Sequence, residues 1–103
     1  VKKMLPRRLK QFTVEPSIEF STISDGKQTL LSITALDQPG LINLIATAMA
    51  KCRIRLISAH IATAGEKAED RFVVCQRSAP KTLSERQKNC LSELLMQALA
   101  ADE

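Results

Sequence analysis

The stretch Leu36-Asp37-Gln38-Pro39-Gly40-Leu41-Ile42 separates an alternating apolar run from one with helical spacing. It therefore predicts a buried strand that turns into a helix through an Asp-x-Pro-Gly elbow. Upstream, Thr29 to Leu36 puts Leu31, Ile33 and Ala35 on one face and Ser32 and Thr34 on the other. Downstream, Leu41, Leu44, Ile45, Ala48, Met49 and Cys52 follow the i, i+3, i+4, i+7 rule, which predicts a helix from Gly40 to Cys52 packed on a sheet. Pro39 suits the first helical turn and pushes Gln38 towards extended backbone, while Gly40 has no side chain to shield the free amides of the helix start. A small ligand's carboxylate can approach such amides closely. The same residues also make a plain helix start, with Asp37 near the positive end of the helix dipole.

Working outward, Ser17 to Ser24 is rich in strand formers, and Ser24-Asp25-Gly26-Lys27-Gln28 supplies hairpin chemistry before the Thr29 to Leu36 strand. Ile54 to Thr63 alternates again, with Ile57, Ala59 and Ile61 on one face and Ser58 and His60 on the other, until Gly65 breaks it. A polar hairpin turn then leads to a strand from Asp70 to Gln76. Thr82 with Glu85, or Ser84 with Gln87, matches a capping box ahead of a final helix striped by Leu91, Leu94, Leu95, Ala98 and Leu99. The order is ββαββα. A right-handed strand-helix-strand crossover makes the strands at 29–36 and 54–63 parallel, and the last strand fits antiparallel beside the first of these. The expected fold is an α+β, ferredoxin-like sandwich with a four-stranded mixed sheet of mainly antiparallel pairing and two helices on one face. Its leading strand, 17–24, takes the edge that a final strand normally fills.

A length of 103 residues with 45% apolar content gives one domain with a real core. No apolar run approaches the roughly 20 residues needed to cross a bilayer, and the opening Val1-Lys2-Lys3-Met4-Leu5-Pro6 lacks the apolar stretch of a secretion signal. The expectation is a cytoplasmic piece of a longer protein that does not engage a membrane. Cys52, Cys75 and Cys90 are odd in number and form no C-x-x-C pair, so they read as buried reduced thiols rather than a disulfide frame or zinc site. The net charge of +4 is concentrated in Lys2, Lys3, Arg7, Arg8 and Lys10, leaving ten basic against 11 acidic residues elsewhere, with no interleaved aromatics. Residues 1–16 thus read as a basic linker, and nucleic acid is not an expected partner. Glu66, Glu69 and Asp70 solvate the second hairpin on this reading, since they lack the spacing of a calcium loop. His60 reads as a half-buried strand histidine, with contact to a ligand or a neighbouring module as the alternative.

Two segments carry a likeness to a known family: Thr34-Ala35-Leu36-Asp37-Gln38-Pro39-Gly40-Leu41, and the run from Leu56 to Phe72. Over roughly Ser17 to Ala101 the chain resembles ACT domains, small ligand-sensing modules, and 17–103 is the expected extent of the domain. Thr63-x-Gly65-Glu66-x-x-Glu69-Asp70-x-Phe72, with the preceding Leu5-Pro6-Arg7-Arg8-Leu9, narrows this likeness to the C-terminal ACT modules of enzymes that uridylylate and deuridylylate the nitrogen-regulatory PII protein. That resemblance implies an amino acid, glutamine, bound near the elbow, often between two ACT modules or two copies. Asp37, Gln38, Pro39, Gly40 and Leu41 would form the ligand loop, with amides from Gly40 and Leu41 and a side-chain hydrogen bond from Asn43. It also implies that catalysis, and the Mg of the transferase, belong to other domains of the parent. No cofactor and no catalytic residue are expected here. A non-sensing interaction or oligomerisation module of another amino-acid-metabolism enzyme is the competing expectation. A hydrolase of acylphosphatase type is disfavoured, because no Gly-rich phosphate loop with partner Arg and Asn is present.

Overall fold

The computed structural model describes residues 14–99, so all but the last three positions of the predicted 1–16 linker lie outside the described residues. Within them the elements run β1 (Ser17–Ile23), β2 (Gln28–Leu36), α1 (Leu41–Lys51), β3 (Ile54–Ala64), β4 (Lys67–Gln76) and α2 (Glu85–Leu99). The sheet order is β1-β2-β4-β3 with every neighbouring pair antiparallel. Strands β2 and β3 are therefore parallel to each other with β4 between them, and β1 holds the far edge. This is the ferredoxin-like α+β arrangement expected from the element order.

Period-2 alternation places Leu31 and Ile33 of β2 and Phe72 and Val74 of β4 on one sheet face, where they join Ile45 and Met49 of α1 and Leu91 and Leu95 of α2 in one buried cluster. Burial of each such side chain is worth about 1.5–3 kcal/mol. Of the two possible capping boxes, Ser84 with Gln87 is the one formed: Gln87 N donates to Ser84 Oγ at 3.1 Å and Ser84 N to Gln87 Oε1 at 3.0 Å. Gln87 Nε2 also donates to Arg53 O at 2.9 Å, pinning the first turn of α2 to the exit of α1. The hydroxyl of Thr29, a buried polar residue, accepts from Leu83 N at 2.9 Å and meets the Thr82 hydroxyl.

Two expectations are corrected. Cys52 and Cys90 are not reduced thiols but a disulfide with Cα atoms 5.9 Å apart, and Cys75 alone is free and buried. An odd count permits one pair and one leftover, and the fold brings the end of α1 beside the apolar stripe of α2, which sequence spacing does not reveal. The alternation of β3 does not bury a face either. Only Ile54 of that strand is buried, while Leu56 and Ile57 are 46% exposed and Ile61 48%. Among the described residues this strand is paired on one side only, its register shifts between Leu56 and Ser58, and the core sits over β2 and β4.

Candidate functional site

The elbow is built by a tight turn rather than by an early helix. Leu41 N donates to Gln38 O at 3.2 Å, and Gly40 sits at φ 80, ψ 4. Those angles are the third-position geometry of a type II turn with proline second. Pro39 thus belongs to the turn and not, as the sequence pattern predicts, to the first helical turn; the left-handed Gly40 stands between it and α1 as the N-cap. Gly40 provides no side-chain cap. Of the four amides at the helix start, Gly40 to Asn43, that of Leu41 is used by the turn, and the regular helical bonds begin with Leu44 N donating to Gly40 O at 2.9 Å. The amides of Gly40, Ile42 and Asn43 have no acceptor among the described residues. Apart from Gly40 and its two chain neighbours, no heavy atom of the described residues lies within 4 Å of the place a Gly40 Cβ would occupy, so the corner is open.

Beside this corner lies a cavity of about 170 Å³ lined by Asp37, Gln38, Gly40, Leu41, Ile42, Asn43, Ile61, Ala68 and Asp70. It falls below the roughly 300 Å³ at which drug-sized sites begin, so it suits a ligand the size of a free amino acid. Five of the six loop residues predicted from the sequence meet there, while Pro39 lies outside the lining. Asp37 N donates to Glu66 O at 2.7 Å, which ties the elbow to the β3–β4 turn. His60 is corrected: it is exposed and pairs across from Arg71, in line with Ser32 and Glu19. That line is on the sheet face opposite the core, away from the cavity. A larger hollow of about 370 Å³ between Leu44, Thr47, Ala48 and Lys51 of α1 and Leu94, Gln97 and Ala98 of α2 has no buried polar group in its lining.

Asp70 was not among the predicted loop residues, and it does not solvate the hairpin. It is 1% exposed, its Oδ1 accepts from Ala62 N at 3.4 Å, and its Oδ2 has no hydrogen-bond partner among the described residues. A signal was available: Asp70 shares the parity of Ala68, Phe72 and Val74 and so occupies a core position of β4. Glu66 and Glu69, by contrast, are exposed. Burial pushes the Asp70 carboxyl above the usual carboxylate range, against the opposing pull of the Ala62 amide, and the nearby Asp37 carboxylate adds to the rise.

The sign of the resulting pH dependence follows. Folding favours the protonated form of Asp70, so its contribution to stability is fully present below the ordinary value of 3.8 and is lost as pH rises through the elevated folded value. Asp70→Asn is expected to raise stability at pH 7 by about 1 kcal/mol, because an ionised acceptor without a partner is removed. The wild-type and variant curves should converge towards pH 3. Urea unfolding at a series of pH values checks this, and a variant less stable than wild type at pH 7 would contradict it.

Among the described residues there is no cluster of three His, Cys, Asp or Glu side chains that could hold a metal ion, and no helix is long and apolar enough to cross a membrane.

Comparison with known proteins gives a consistent result. Ninety-five residues align at 38% identity with the bifunctional uridylyltransferase/uridylyl-removing enzyme of Photobacterium profundum, covering 91% of this chain and 11% of that protein. Proteins of the same description align at 35% identity in Xanthomonas euvesicatoria pv. vesicatoria, over 95% of this chain and 11% of the relative, and at 39% in Vibrio atlanticus, over 87% and 10%. The chain thus spans about a tenth of the length of the curated relatives it matches, and is similar to one domain-sized segment of them. No family model and no solved structure matches it.

Proposed function

We propose that this chain is a regulatory ACT module of a bifunctional uridylyltransferase/uridylyl-removing enzyme, and that its elbow cavity binds glutamine to bias the parent between adding and removing uridylyl groups. The observation that carries this reading is the open corner at Gly40, where the amides of Ile42 and Asn43 have no acceptor among the described residues beside a cavity of about 170 Å³. A carboxylate there completes the helix start and meets the positive end of the α1 dipole. The similarity to one segment of the enzymes, and not to their whole length, supports a module whose catalysis lies elsewhere. On this reading PII protein is the parent's partner, Mg serves its transferase domain, and the chain works in the cytoplasm. Regulation requires that glutamine bind one state of the parent more tightly than the other.

Calorimetric titration of the chain with L-glutamine tests the site. Saturable binding is expected in the wild type, with at least a tenfold loss in Gly40→Val, whose side chain would occupy the open corner and strain a left-handed residue. Circular dichroism verifies that the variant is folded. Equal binding by a folded Gly40→Val chain would remove the elbow from the assignment.

One observation favours a second reading, a non-sensing interaction module. The edge of β3, unpaired among the described residues, exposes Leu56, Ile57 and Ile61 along one strand. Concentration-dependent association that is indifferent to glutamine, seen by sedimentation, would support it over the first.

A further inference from the structure

We propose that Asp70 receives the ligand's ammonium group, so that the elbow cavity takes a free α-amino acid by both poles: the carboxylate on the Ile42 and Asn43 amides, the ammonium on the Asp70 carboxylate. This rests on the reading of the elbow as an amino-acid site and adds the residue that selects for the amine.

Three observations carry it. The first is burial without compensation: Asp70 is 1% exposed and its Oδ2 has no partner among the described residues, whereas buried polar atoms in folded proteins nearly always have one. The second is placement, because Asp70 lines the same cavity as Gly40, Ile42 and Asn43. One wall therefore offers N–H donors and the positive end of a helix, and another offers an acceptor without a donor. The third is the absence of a basic side chain from that lining. The neighbouring Lys67 is itself engaged with Glu69 at 3.3 Å on the surface. The second carboxylate of the lining, Asp37, deepens the negative potential at the same end. An uncharged or purely anionic ligand would leave Asp70 as it is, or be repelled by it. A zwitterion with its charges a few bonds apart satisfies both walls at once.

The arrangement also explains why a strand residue in a core register is acidic. Position 70 lies between Ala68 and Phe72 on the buried face of β4, where an apolar side chain would stabilise the fold more. A site residue retained at a cost to stability is the expected signature of binding.

The test compares ligands before it compares proteins. Calorimetric titrations of the chain at pH 7 use L-glutamine and its deaminated analogue 4-carbamoylbutanoate, which keeps the carboxylate and side chain but lacks the amine. In the wild type the analogue is expected to bind at least tenfold more weakly than glutamine, the loss of one charge-assisted hydrogen bond to a buried group. In Asp70→Asn the two should bind within about threefold of each other, because only glutamine loses affinity. Equal binding of the two ligands by wild type overturns the role of Asp70 while leaving the elbow site standing. So does glutamine binding unchanged in Asp70→Asn. A wild-type chain silent to glutamine at millimolar concentration overturns the site and Asp70's role together. The ligand comparison in wild type decides the matter even where the variant folds poorly.

Discussion

Reduction of the Cys52–Cys90 disulfide is expected to lower the stability of the chain by about 4 kcal/mol, the loop-closure entropy for a link spanning 38 residues. The bond joins the end of α1 to α2, the two elements that cover the core face of the sheet, so opening it frees the helix layer in the unfolded chain far more than in the folded one. Against a typical total of about 5–15 kcal/mol this is a large share. With a urea slope near 2 kcal/mol per molar, the unfolding midpoint should fall by about 2 M on adding dithiothreitol. Thiol counting in denaturant should find Cys75 alone before reduction and all three cysteines after it. A midpoint indifferent to reductant, or three reactive thiols at the outset, would show that the link does not form.

Phe72→Ala is expected to cost about 3–5 kcal/mol, the range for deleting a fully buried aromatic ring. Phe72 is the largest of the fully buried side chains, at 2% exposure, and it lies across from Leu31 on β2 and Ala59 on β3. The central strands leave little freedom to collapse around the hole, which is the condition for a loss at the upper end. Thermal or urea unfolding measures it, with Met96→Ala as a control. Met96 is 40% exposed on α2, and its truncation should stay within about 0.5 kcal/mol. A loss below about 1 kcal/mol for Phe72→Ala would mean that the core is not centred between these strands.

The topology was legible because two periods in the sequence leave few solutions. Leu31, Ile33 and Ala35 alternate with polar neighbours, the residues from Leu41 to Cys52 repeat at helical spacing, and a crossover between parallel strands leaves a gap that only β4 fills. Ser84 and Gln87 stated their own helix start. What periodicity could not convey was how far the helix layer reaches. Ile57 and Ile61 obey the strand rule as well as Ile33 does, yet only Ile33 lies under the helices. His60 was misjudged for the same reason, since a half-buried edge needs a covering layer that β3 lacks.

At the elbow the composition was sufficient to find the open corner but not its backbone conformation. Pro39 and Gly40 fit a helix start and a type II turn equally well from the sequence, and the hydrogen bond from Leu41 N to Gln38 O decides for the turn. Asp70 was legible in principle from its parity with Phe72 and Val74. It was read instead with Glu66 and Glu69 as one acidic hairpin, which hid that alternate residues of a strand face opposite sides. The Cys52–Cys90 pair depends on how two helices lie side by side, and sequence spacing carries no information on that.

The bond from Ala62 N to Asp70 Oδ1 has a practical consequence. It lets a carboxylate that lines the elbow cavity polarise one main-chain amide of an edge strand, where labelled nitrogen and proton nuclei are easily observed. A single cross-peak in a magnetic resonance spectrum thus carries the charge state of the interior, with no dye or tag attached.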